Sequence, residues 1–505
     1  MDSNDITRRR VVSVLGATGV AGLAGCNGGG DDTTTTEADG GDGGDGDDTT
    51  TTAGDGTDGT DGDGTDGDGT GDGDGTTTSQ PVSGTVTLGW LNPHSGALAY
   101  YGNHTLWSFY AGLKYRSGGE ASIPESGSGP GEYTISVGDV DYEMLVSDTQ
   151  ADPGEGQTIA TEYVNTDDAD FLIGGTSSAT ANAVASNVAN QAQVPYMVAP
   201  AAAVSITGSP DTCSEYVFRA NENVAMDARA GADYVANETD IDSVHIYYAD
   251  YSFGKDVADN YQRVLEDNGV TITGRVPLPQ GYSEDWEGQL DKAQSAGAGG
   301  IVTGFTVATL PALFTTFLNN ADEYDFNAVG GLTTWAGSAA LGGTVAKVLG
   351  EDFTAQDLQD VGMGPFTTRY HWNQYDNAVN DAFVDTLTST YGYWPDLFGG
   401  GAFAAASAID QAVHEGGSTD GDDIRNALSG MTVRDTPKGE NKYQFQAYNG
   451  QARSPMTVAD VIPTTSETQE FWPQAALQPA EPKQTYGMDE TTWEPGESDL
   501  MTCDL

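Results

Sequence analysis

The chain has 505 residues, with 19 Lys and Arg against 76 Asp and Glu, for a formal net charge of −57. A surface this acidic repels phosphate backbones and anionic headgroups, which excludes nucleic-acid binding and polybasic membrane docking. Three cysteines are too few for a disulfide-stapled scaffold or a multi-cysteine metal protein.

Residues 1–26 read as an export signal. Arg8, Arg9 and Arg10 stand directly before the apolar run Val11–Ala24, which is shorter than the roughly 20 residues that span a bilayer. The run closes on Leu23-Ala24-Gly25-Cys26. This arrangement resembles a twin-arginine signal ending in a lipobox, which implies cleavage before Cys26 and a lipid on that cysteine.

Residues 27–80 hold 15 Asp, one Glu and no Lys or Arg, interleaved with Gly and Thr. Such a segment buries too little apolar surface to offset its ordering entropy, so a disordered acidic linker is expected. Gly54-Asp55-Gly56-Thr57-Asp58-Gly59 satisfies a nucleotide fingerprint, but no strand precedes it and no helix follows. The Asp-Gly repeats lack the closing Glu of a calcium loop. A net charge of −42 remains on residues 81–505. That self-repulsion is relieved where salt shortens the Debye length, which points to a salt-loving host.

From Val82 onward, short apolar runs alternate with helical stretches. Strands are predicted at Val86–Leu91, Tyr142–Val146, Phe171–Ile173 and Tyr196–Val198, with helices from about Ala99, Glu155 and Ser178. A second series has strands at Val244–Tyr248, Ile272–Val276, Ile301–Thr303 and Ala328–Val329, with helices after Gly254, after Ser283 and from about Ala308. The alternation predicts an α/β fold of two doubly wound parallel-sheet lobes, with a ligand at the carboxyl ends of the strands between them.

Those strand ends carry small and hydroxyl residues. Asn92-Pro93-His94-Ser95-Gly96 follows the first strand, Gly174-Gly175-Thr176-Ser177-Ser178 the third and Ala199-Pro200-Ala201-Ala202-Ala203 the fourth. Ala249-Asp250-Tyr251-Ser252-Phe253-Gly254 opens the second series, and Asp148-Thr149-Gln150-Ala151-Asp152-Pro153 follows the second strand. In this order, over roughly 84–415, the segments resemble the leucine/isoleucine/valine-binding receptors of the type I periplasmic binding fold, here of a haloarchaeal lipoprotein type. The resemblance implies a receptor that hands a small polar solute to the permease and ATPase subunits of an ABC importer, without catalysis or cofactor. It places the protein on the extracellular face of the cell membrane, lipid-anchored. The two lobes are then 81–219 plus 365–431 and 220–364 plus 432–505, hinged by three crossings near Arg219, Gly364 and Met431. Ligand sensing for a membrane signalling protein is the alternative use of the same fold.

Ser177 and Ser178 lie where a strand yields to a helix, a place that suits an anion or a simple helix cap. The resemblance implies that Ser178 meets the ligand's carboxylate and that Ala201, Ala202 and Ala203 offer backbone groups. It also implies that Tyr101, Phe253 and Phe305 wall the cleft. The family commonly has a Thr at the position matching Ala203. Its amino-acid receptors place an acidic side chain near Gly330-Gly331-Leu332-Thr333, where this chain offers Leu332 and Thr333. Burying an ammonium without a carboxylate is costly. Either Glu222 or Asp250 substitutes, or the ligand is no α-amino acid but an amide, a urea-like solute or a short carboxylate. Trp335 offers an apolar lid.

Cys213 and Cys503 remain once Cys26 is assigned to lipid, and two thiols in an oxidising exterior often pair. The sequons at Asn103 and Asn237 permit glycosylation. The five histidines show no metal or catalytic spacing; His94, in the first cleft loop, reads as a surface imidazole, with a hydrogen bond to the ligand as the alternative.

Overall fold

The computed structural model describes residues 81–330, 341, 344–464, 477–494, 497 and 501–505. The signal, the linker, Cys26, Leu332, Thr333 and Trp335 lie outside the described residues. Those described belong to one compact unit, Thr76–Leu505.

The first sheet has six strands: β1 (Gly84–Asn92), β2 (Gly131–Val137), β3 (Val140–Asp148), β4 (Phe171–Gly174), β5 (Tyr196–Val198) and β6 (Val217–Arg219). Their order is β2-β3-β1-β4-β5-β6, parallel except for β2, which forms an antiparallel hairpin with β3. That edge strand departs from the expected all-parallel sheet. The second sheet has β7 (Ser243–Ala249), β8 (Thr271–Leu278), β9 (Gly300–Gly304) and β10 (Asn327–Val329), in the parallel order β10-β9-β7-β8.

Each sheet is covered on both faces because its strands alternate apolar side chains between two cores. Val86, Leu88 and Trp90 of β1 face one core with helix α1 (Ala99–Arg116) and the helix Gly399–Gly416. Leu91, Leu172 and Val198 face another. In the second sheet Tyr247 and Ile301 face one core, and Ile246 and Val302 the opposite one.

The chain passes from one sheet to the other after Arg219, entering the helix Val224–Glu238. It returns through Phe366–Thr368 to Tyr370, which packs in the first core. The third crossing differs from the expected one near Met431. Val433, Tyr443, Phe445 and Ala452 still pack in the first core, so the chain leaves it only between Ala452 and Met456. Residues 432–452 thus belong with the first sheet: the rings of Tyr443 and Phe445 are buried there, and no apolar period marks the change. The strands Phe366–Thr368, Met456–Ala459 and Gln484–Tyr486 pair antiparallel in a small sheet at the crossings.

Five charged side chains are buried around these crossings: Arg219, Glu222, Asp227, Arg369 and Lys438. Lys438 Nζ sits 2.7 Å from Glu222 Oε1, which also accepts from Tyr443 and Ser454 at 2.7 Å. Burial opposes the charge on Glu222, but Lys438 and these donors outweigh it and hold its pKa below the ordinary value. Cys213 and Cys503 form a disulfide.

Candidate functional site

A cavity of about 120 Å³ open to water lies between the two sheets, large enough for a small molecule rather than a single water. Its walls come from both. From the first sheet's side come Leu98, Tyr101, Thr176, Ser178 and Ala202; from the second come Tyr251, Phe253, Thr303, Phe305 and Thr306. Phe398 and the crossing residues Asp227 and Arg369 also line it.

The first wall is set by local backbone geometry. Gly174 and Gly175 end β4 with φ of 119° and 85°, a region that favours glycine. A Cβ on Gly175 would lie 2.3 Å from the Tyr196 hydroxyl oxygen. This turn delivers Thr176 and Ser178 to the cavity. Ser177 is the N-cap residue of the helix Ser178–Val184 yet makes no side-chain capping bond, and it is not part of the lining. The Ser178 Oγ accepts from the Ala203 N–H at 3.2 Å, which leaves its proton available. Thr176 Oγ1 is buried without a partner among the described residues.

Arg219 secures the neighbouring loop. Its guanidinium donates to the carbonyls of Ala201 (3.1 Å) and Ala203 (2.6 Å), and to Gln451 and Thr207. Burial, and then the nearby charge of Arg369, lowers its pKa to about 9. Ala201 and Ala203 are thereby committed to the protein, and of the three alanines it is Ala202 that lines the cavity.

The aromatic walls are closely packed. The Tyr101 and Phe398 ring centroids are 4.4 Å apart, and Phe305 meets Trp286 edge-on at 5.6 Å. Asp256, on the helix Ser252–Asp267, accepts from the Val204 N–H at 2.7 Å. Burial pushes its carboxyl up to about 6.

The residues considered for an ammonium are engaged elsewhere. Glu222 pairs with Lys438 and does not line the cavity. Asp250 is exposed and pairs with Lys255 at 3.0 Å. Asp227 lines the cavity but receives two bonds from Arg369, one of 2.9 Å from Nε and one from Nη2. Burial pushes the Asp227 carboxyl up and Arg369 opposes it. Burial also works against the charge on Arg369, and Asp227 more than offsets that. Neither Asp227 nor Arg369 was foreseen from sequence, since they stand 142 positions apart with no local motif. His94 is bonded to Asn103 at 2.7 Å and lies outside the lining.

Among the described residues no His, Cys, Asp or Glu cluster suits a metal ion, and no helix is long and apolar enough to cross a membrane.

A periplasmic binding protein family model matches residues 85–467. Among solved structures, an amino acid ABC transporter substrate-binding protein from Pseudomonas fluorescens Pf-5 is similar at 18% identity and a TM-score of 0.64, over 84% of this chain and 100% of that one. A solute binding protein of an ABC transporter from Rhodopseudomonas palustris BisB5, in complex with 3,4-dihydroxybenzoic acid, is similar at 18% identity and a TM-score of 0.63, over 82% and 99%. An ABC-type branched-chain amino acid transporter from Rhodopseudomonas palustris CGA009 is similar at 23% identity and a TM-score of 0.60, over 80% and 97%. No curated protein matches.

Proposed function

The chain belongs to the periplasmic binding protein family, and from that premise we propose that it is the solute-binding receptor of an ABC importer. The family consists of receptors rather than enzymes. In this reading the twin-arginine signal exports the chain and lipid on Cys26 holds it at the outer face of the membrane. The acidic linker 27–80 lets the folded part reach its permease, and the charge of residues 81–505 suits a salt-rich exterior.

The observation that carries the reading is the cavity itself, walled from two sheets by Tyr101, Ser178 and Ala202 on one side and Phe253 and Phe305 on the other. Binding there ties the two lobes together, so occupancy is linked to closure. One similar receptor holds 3,4-dihydroxybenzoic acid and another is named for branched-chain amino acids, so both solute classes suit the fold. The lining favours the carboxylate or amide alternative over an α-amino acid. Asp227, the one acid in the lining among the described residues, is already paired with Arg369. The test is calorimetric titration, in molar salt, with a panel of amino acids, amides and short carboxylates. One-to-one binding of a member with a raised melting temperature supports the receptor; absence of binding across the panel contradicts it.

A further inference from the structure

Resting on the receptor reading, we infer that the cavity takes a planar aromatic carboxylate, its ring held among the aromatic walls and its carboxylate on the free Nη1 edge of Arg369. Arg369 is 1% exposed and lines the cavity. Asp227 occupies its Nε and Nη2, whereas Nη1 has no partner among the described residues. A guanidinium presents five donors in a fixed fork, and Asp227 takes up only one side of it. Thr176 Oγ1, in the same lining, is buried without a partner among the described residues. The Ser178 hydroxyl also keeps its proton. Arg369 Nη1 can only donate, and the hydroxyls of Thr176 and Ser178 can donate as well. They call for a ligand group that is rich in acceptors and carries no ammonium, because Asp227 is already neutralised.

The rest of the lining specifies the body of that ligand. Eight rings, among them Tyr101, Phe253, Phe305 and Phe398, surround the space. Aromatic faces and edges reward a ring ligand beyond the area it buries. Thr303 and Thr306 stand among these rings and suit ring hydroxyls.

The experiment is calorimetric titration of the full chain in molar salt with benzoate, benzamide, L-phenylalanine and L-leucine. Benzoate is expected to bind about 10- to 100-fold more tightly than benzamide, the range that a charge-assisted hydrogen bond supplies. The double variant Asp227→Asn with Arg369→Met removes both charges, so no uncompensated buried carboxylate is left. It is expected to bring the two affinities within about threefold of each other, by the loss of that bond. Should the double variant fail to fold, the benzoate-to-benzamide ratio of the wild type still decides. Equal affinities for benzoate and benzamide overturn the role of Arg369. Binding of L-leucine or L-phenylalanine with no response to benzoate overturns the ligand class and keeps the receptor. No response to these four, nor to the wider panel, overturns both.

Discussion

The Tyr101 hydroxyl accepts a 2.9 Å hydrogen bond from the Val307 N–H, joining α1 on the first sheet to the segment that follows β9 on the second. Tyr101 also lines the cavity, so the same side chain touches the proposed ligand space and ties the two sides together. Tyr101→Phe keeps the ring and removes the acceptor. The expected result is a three- to tenfold weaker dissociation constant with the melting temperature of the free protein little changed, since one such bond contributes about 1 kcal/mol. An unchanged dissociation constant in titration calorimetry contradicts the latch.

Asp256 makes the second bond across the cleft, to Val204. Its carboxyl is raised from 3.8 to about 6 by burial. A carboxyl raised on folding stabilises the native state most while protonated. That contribution is full below the unfolded value and is lost as pH rises through about 6. Asp256→Asn keeps an acceptor oxygen and never ionises. Its stability should therefore gain on wild type between pH 4.5 and 7.5, by about 2 kcal/mol. Urea melts at the two pH values check this, and a difference independent of pH refutes it.

Glu222 and Lys438 form a fully buried ion pair that joins the first crossing to the segment packed beside it. Lys438→Met leaves the carboxylate uncompensated and should cost about 3–5 kcal/mol. Adding Glu222→Gln should recover much of that loss, because its amide oxygen can still accept from Tyr443 and Ser454. A double variant as unstable as the single one argues against a charge effect.

The disulfide closes a strap. Trp493 packs between Arg229 and Arg263, at 5.6 and 5.2 Å from the ring centre, and Arg229 Nε donates to the Glu490 carbonyl at 2.8 Å. Beyond that anchorage on the second sheet's helices, Cys503 bonds to Cys213, and its N–H donates to the Gly208 carbonyl at 3.0 Å. Cys213→Ser with Cys503→Ser should lower stability by about 2–4 kcal/mol. It should also release the Thr502 and Cys503 amides to hydrogen exchange. Unchanged exchange there contradicts the strap.

Much of this architecture is legible in the residues. Buried parallel strands are continuous apolar runs, which is why even the three-residue strand Tyr196–Val198 stands out, and the Gly174-Gly175 turn announces the hydroxyls it presents. Tyr101, Ser178, Ala202, Phe253 and Phe305 do meet in one lining, whereas Ser177, Ala201 and Ala203 are not among the residues that line it. The pieces that escaped notice lack a local signal. The helix Gly399–Gly416 begins with three glycines, poor helix formers by propensity. Their reason is tertiary: a Cβ on Gly401 would lie 2.7 Å from the Asn221 Cα. Arg369 and Phe398 reach the cavity only because distant crossings converge there.

The claim that the interlobe cavity is where the solute binds is tested most directly by filling it. Thr306 lines the cavity, is half-buried, and its described hydrogen bonds run through its backbone carbonyl. In titration calorimetry with the tightest panel member, Thr306→Trp should abolish binding while retaining a cooperative melt close to wild type. Undiminished one-to-one binding by a folded Thr306→Trp protein would place the solute elsewhere and contradict the account.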